Sequence, residues 1–232
     1  MDYGTPAGSP SVGPQTVQPQ LRRIGLAAAL FLAPWAIVAC NTFWAIAQSR
    51  GAKDETGADQ VAAATAYPDL LHLAVLFGMI GALLMIPASL AVARVVGPAA
   101  AKLGFVAGTM TAAGYACYLA ILTPDLRTIA AARLGGRVQN YAGVIDAAQA
   151  DGSAAWVFLL FAAGNIIGTF LLGLALWRSN SVSRWVASAV MVWPPMHIIG
   201  LAVSAEVFEV AGATVQGVAF AAIGVRLLHG TK

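Results

Sequence analysis

Six long apolar stretches, separated by charged or Gly/Pro-rich breaks, run through this chain at residues 24–47, 70–96, 103–122, 154–177, 185–205 and 207–228. Each can cross a bilayer, which takes about 20 apolar residues in a helix. Of the 232 residues 59% are hydrophobic and 10% charged, whereas a soluble domain carries about 25% charged residues. A soluble fold would have to hide more apolar surface than its interior can hold. The sequence therefore predicts an all-α, polytopic membrane bundle of six transmembrane helices, with one long extracytoplasmic loop carrying short helices. The six spans and their connections use nearly all of residues 23–229, so no separate soluble domain is expected.

The charges are sorted by side. The amino-terminal segment, the turns at 97–102 and 178–184 and the carboxy terminus bring Arg22, Arg23, Arg94, Lys102, Arg178, Arg184, Arg226 and Lys232 together, with Asp2 as the one acid. The other side holds Arg50, Lys53, Arg127, Arg133 and Arg137 among nine of the ten carboxylates. Lys and Arg beside short loops set orientation, so both termini are expected in the cytoplasm, in a bacterial-type cell membrane. The basic residues suit an anionic leaflet; membrane lipids, and not nucleic acid, are the expected partners. Residues 1–22 are rich in Gly, Pro, Ser, Gln and Thr and are expected to be a disordered cytoplasmic tail.

Arg22-Arg23 before an apolar run has the outline of a signal peptide, and Ile37-Val38-Ala39-Cys40 that of a lipid-attachment box. The run is longer than a signal-peptide core of 7–15 residues, so the favoured reading is an uncleaved first span. Cys40 and Cys117 fall at similar depth but have no metal-site spacing, and both are read as small buried hydrophobes. Tyr67-Pro68-Asp69 and Thr123-Pro124-Asp125 look like helix starts, with Pro early and a carboxylate at the positive end of the helix dipole. The second would launch a short helix over 125–134, followed by another over 140–150. Gly104 and Gly108 form a GxxxG pattern, read as close packing within the chain.

Polar residues within the spans gather toward the loop side. Pro34, Asn41 and Gln48 recur every seven residues with Trp44 beside them; His72 opens the second span. Gly108, Thr111, Tyr115, Tyr118, Leu122 and Asp125 share one helical face, as do Trp193, His197, Gly200 and Ser204. Asn165, Gly168 and Thr169 cluster in the fourth span, and Glu206, Glu209 and Gln216 lead into and along the sixth. Unpaired polar groups cost several kcal/mol in hydrocarbon, about 1–3 by protein mutational data, so these faces should point at one another. The candidate ligand-binding set is His72, Asn41, Tyr115, Tyr118, Asn165, Trp193, His197 and Gln216, around an outward cavity touching His197, Tyr118 and Glu209.

His197 is the sharpest residue, because Pro194-Pro195 removes two amide donors one turn earlier and should kink the helix. Three functions fit. The first is binding or moving a small apolar or lipid-like ligand, in a homo-oligomer if transport is involved. The second is a membrane-embedded enzyme on a lipid or isoprenoid, with His197, Glu209 and Glu206 as acid and base. The third is a structural or partner-binding subunit. No cofactor or metal is expected; haem between His72 and His197, or Zn or Cu with Glu206, Glu209 or Met196, is the alternative considered.

Overall fold

The computed structural model describes residues 14–135 and 138–229, and every element among them is helical. In chain order these are α1 (Pro14–Ser49), α2 (Gly57–Ala66), α3 (Pro68–Val95), a 3-10 turn (Pro98–Ala100), α4 (Ala101–Arg133), α5 (Val138–Ala150), α6 (Gly152–Ala162), a π-helical segment (Ala163–Gly168), α7 (Thr169–Ser179), α8 (Arg184–Val203) and α9 (Val207–His229). Six units are long and apolar enough to cross a membrane: Gln20–Ser49, Pro68–Val95, Pro98–Arg133, Gly152–Ser179, Arg184–Val203 and Val207–His229. Large apolar side chains such as Leu32, Leu83, Phe105, Trp156, Phe158 and Val218 stand exposed on the outer faces. An apolar belt of that extent belongs against lipid tails. The chain is a multi-pass, membrane-spanning helical protein.

Each span packs on the next in sequence, and α9 returns to α1, so the six close into a ring. Lipid offers little hydrophobic drive for helix association, so close backbone approach matters. The register can be read from the glycines. A Cβ on Gly81 would fall 2.6 Å from Ile37 Cδ1, one on Gly114 2.8 Å from the Gly164 Cα, and one on Gly217 3.5 Å from Pro34 Cβ. The Gly104/Gly108 pair faces Ala93 and Ser89 of α3 and Val96 just after it, which makes it an intrachain contact. Since α1 and α9 run antiparallel, Pro14 and His229 lie at the same end of the bundle. We call the opposite end, which carries α2 and α5, the loop end.

Three expectations are corrected. Helix α1 starts at Pro14, so residues 14–22 of the expected tail are helical, while 1–13 lie outside the described residues. The third span does not stop at 122 to be followed by a separate short helix: α4 runs unbroken through Pro124 to Arg133. The far half of α4 has apolar surface to bury. Leu122, Ile129 and Ala132 join Ala47, Ala63, Leu71 and Val75 in a loop-end cluster, and that packing outweighs the amide lost at Pro124. The fifth span ends at Val203, where Ser204 turns left-handed (φ 51°) to start the tight link into α9. The expected helix over 140–150 is present as α5.

The loop end has its own fastenings. Thr56 and Asp59 form a reciprocal capping box on α2. The Gly57 amide also donates to Asp146 Oδ1 of α5 at 2.7 Å. Arg133 at the end of α4 donates to Asp69 at the start of α3 at 2.8 Å. The Tyr67 hydroxyl donates to the Arg50 carbonyl.

Candidate functional site

Buried polar side chains come from several of the spans. From α8, one turn apart, come Trp193 and His197, whose rings stack at 5.2 Å between centroids. The indole nitrogen of Trp193 donates to Asn165 Oδ1 at 3.1 Å. Asn165 lies in the π-helical segment, which widens the helix where Gly164 and Gly114 meet backbone to backbone. Short π segments concentrate at functional sites.

Opposite His197 stands Glu209, in the first turn of α9 and 7% exposed. Its Oε2 lies 3.1 Å from His197 Nδ1, within ion-pair distance. The contact is off the line of a hydrogen bond, so the ring nitrogen has no linear partner. Gly200 makes room for the pair: a Cβ there would sit 3.0 Å from Glu209 Cγ. Three residues before Glu209, the Glu206 amide donates to Gln48 Oε1 at 3.1 Å, tying the α8–α9 link to the end of α1. Burial first, then the nearby carboxylates of Glu209 and Asp54, push the Glu206 carboxyl up to about 8; a hydrogen bond with Trp44 opposes them. Asp54, in the link between α1 and α2, is raised as well, mainly by burial.

From α4, Tyr115 and Tyr118 meet edge to face at 6.4 Å, and Tyr118 stacks on Phe161 of α6 at 4.9 Å. The Tyr118 hydroxyl is 3.8 Å from Cys40 Sγ; Cys40 and Cys117 are both free thiols.

Five buried polar atoms, spread at different depths through the bundle, lack a hydrogen-bond partner: Asn41 Nδ2, Tyr115 OH, Thr169 Oγ1, His197 Nδ1 and Gln216 Nε2. They come one each from α1, α4, α7, α8 and α9. Thr169 is 0% exposed, Tyr115 and Gln216 1%, and Asn41 6%. Thr169 departs from a habit of this chain. Thr42, Thr65, Ser89, Thr111, Thr123, Thr128 and Thr214 all return their hydroxyls to the carbonyl four residues back. Thr169 directly follows the π segment, whose wider turn moves that carbonyl out of line.

The structure thus brings together His197, Glu209, Trp193 and Asn165 directly. Asn41, Tyr115 and Gln216 are also buried, and Tyr118 is partly buried against Phe161. His72 stays apart. It is half-buried in the second turn of α3. Continuing the Gly81–Ile37 register places it beside Ile46, roughly 7 Å nearer the loop end than Asn41 at the helical rise of 1.5 Å per residue. It therefore does not share a level with His197. Among the described residues no three His, Cys, Asp or Glu side chains come together as a metal-binding set.

Where a cavity touching His197, Tyr118 and Glu209 was expected, Trp193 stacks on His197 and Tyr118 on Phe161. Two shallow surface pockets lie elsewhere: one of about 180 Å³ beside Gly51, Asp59 and Tyr67, and one of about 230 Å³ beside Val182, Trp185 and Arg226. Asp54 and Phe161 were missed from sequence. Asp54 sits in a linker with no periodicity, and Phe161 is one apolar residue among many until Tyr118 is seen lying on it. Comparison with protein-family models, curated proteins and solved structures finds no match to this chain.

Proposed function

We propose that this chain is a membrane-embedded binding protein that takes a small apolar or lipid-like molecule into its helix ring. On this reading the loop end faces away from the cytoplasm, as the basic residues at the other end favour. The observation that carries it is the set of five buried, unpartnered polar atoms on five different spans. Each such group costs about 1–3 kcal/mol. Groups kept only to fix packing would be paired with each other. Groups kept to meet a ligand are paired when it arrives, and the stacked aromatics supply the apolar walls such sites have.

Native mass spectrometry of the protein extracted in mild detergent tests this. A retained small molecule is expected, lost together with stability in Asn41→Leu and Gln216→Leu. The packing reading, favoured by the Trp193–Asn165 bond, requires the reverse: nothing retained, and Gln216→Leu more stable than the parent chain. The enzyme reading, favoured by the His197–Glu209 contact, requires turnover of the retained molecule that His197→Gln stops without releasing it.

A further inference from the structure

Independently of that reading, we infer that the end of the bundle opposite the loop end seats one anionic phospholipid, in the groove between the start of α8 and the end of α9. The groove of about 230 Å³ is lined by Val182, Ser183, Trp185, Val186, Ala222 and Arg226. Its polar members can all donate. Arg226 brings a guanidinium, a planar fork of N–H groups that takes a phosphate through two bonds at once. Ser183 adds a hydroxyl and Trp185 an indole N–H. Ser183 also makes no side-chain cap, so the first amides of α8 lack the partner that Thr56 supplies to α2. Among the described residues no carboxylate lines the groove.

The surroundings set the charge of the occupant and give it a tail. Arg22, Arg23, Arg94, Lys102, Arg178 and Arg184 share this end of the bundle, and among the described residues no Asp or Glu does. A choline or ammonium on the head group would meet those charges with no acid to receive it, whereas a net negative head is attracted by all of them. Arg184 contributes field rather than contact: it lies over the Trp177 ring of α7, 5.5 Å from its centroid, and is not part of the groove. The tail follows from α9. Val215, Val218, Ala222 and Val225 recur at spacings of three, four and three, which places them on one face, and the three valines are exposed. That stripe meets the groove at Ala222 and runs from there toward mid-span. Trp185, also exposed, is the residue type that settles at headgroup level. Free phosphate would use the groove alone; a lipid with an acyl chain uses the groove and the stripe.

Native mass spectrometry of the full-length, delipidated protein tests the seat, with phosphatidylglycerol and phosphatidylcholine of the same acyl chains added in equal amounts. Phosphatidylglycerol should be retained with a preference of about fivefold or more. Arg226→Gln should bring the two lipids near parity. Arg184→Gln, which removes the same charge outside the groove, should keep most of the preference. Ala222→Phe, which fills the groove and keeps Arg226, should lose it by a second route. Equal retention of the two lipids by the parent chain would overturn the proposal, as would a preference that survives both Arg226→Gln and Ala222→Phe. Equal loss in Arg226→Gln and Arg184→Gln would reduce the effect to general surface charge and overturn the seat. Displacement of the lipid by inorganic phosphate alone would make the groove a free-anion site and overturn the lipid assignment.

Discussion

Glu206 sits in a three-residue link between two spans, yet it is crowded by Glu209 and Asp54 and hydrogen-bonded to Trp44. Its carboxyl is raised from an ordinary value of 4.5 to about 8. Between those values the folded chain binds more protons than the unfolded one, so stability falls as pH rises. The contribution is full below about pH 4.5 and has been lost by about pH 8. Glu206→Gln, which keeps the shape without the charge, should flatten that slope and leave the protein more stable at pH 8 than the parent, measured as unfolding midpoints across the range. Gly200 offers a second residue-scale test. Its missing side chain is the space in which Glu209 approaches His197, so Gly200→Ala must displace the carboxylate or the Ala205 carbonyl, 3.3 Å away. We expect a loss of about 1 kcal/mol in unfolding free energy and, if the proposed binding function holds, weaker retention of the proposed ligand. His197 and Glu209 were readable from sequence because each lies on a face of polar spacing. Their meeting was expected from that spacing; that Gly200 is what lets them approach was not legible. Periodicity shows that Gly200 shares the His197 face, not how closely another helix approaches it.

At the scale of elements, the fourth span is the unusual one. Its π segment lets Asn165 reach Trp193, frees the Thr169 hydroxyl and brings Gly164 against Gly114. A Cβ on Gly164 would lie 2.4 Å from the Met110 carbonyl and 2.6 Å from the Gly114 Cα, both backbone atoms with little freedom to yield. Gly164→Ala should therefore cost about 1–3 kcal/mol through overpacking. Gly143→Ala, in α5 with open space around it, should instead gain about 0.5–1 kcal/mol from helix propensity. Chemical unfolding of the two variants side by side checks the contrast. The π segment left no mark in the sequence, since a slip of one residue cannot be read in a span that is apolar all round. Helix α2 did leave one, in Thr56 and Asp59 at capping-box spacing, but an alanine-rich decapeptide offers no periodic face to draw attention to it. Pro124 misled for the opposite reason. A local breaker is visible in sequence, and the distant packing of Ile129 and Ala132 that overrides it is not.

For the molecule as a whole, hydropathy was enough to find six spans, because every backbone amide in a bilayer must be satisfied within its own helix. Closure of the ring was not legible, since it depends on Gly217 and Gly224 receiving Pro34, Trp35 and Phe31 of α1. Orientation can be tested directly. In a background without Cys40 and Cys117, a cysteine at Asn180 should react with a membrane-impermeant maleimide only after the cytoplasm is opened. One at Ala150 should react in intact cells; the reverse pattern would invert the topology. The seam between α9 and α1 has one more consequence. Residues 14 and 229 sit on adjacent helices at one face of the bilayer, so a short flexible peptide should be able to join them. The chain could then be cut open at the 178–184 turn on that same side, giving a circular permutant with the same six-helix ring and none of its original ends.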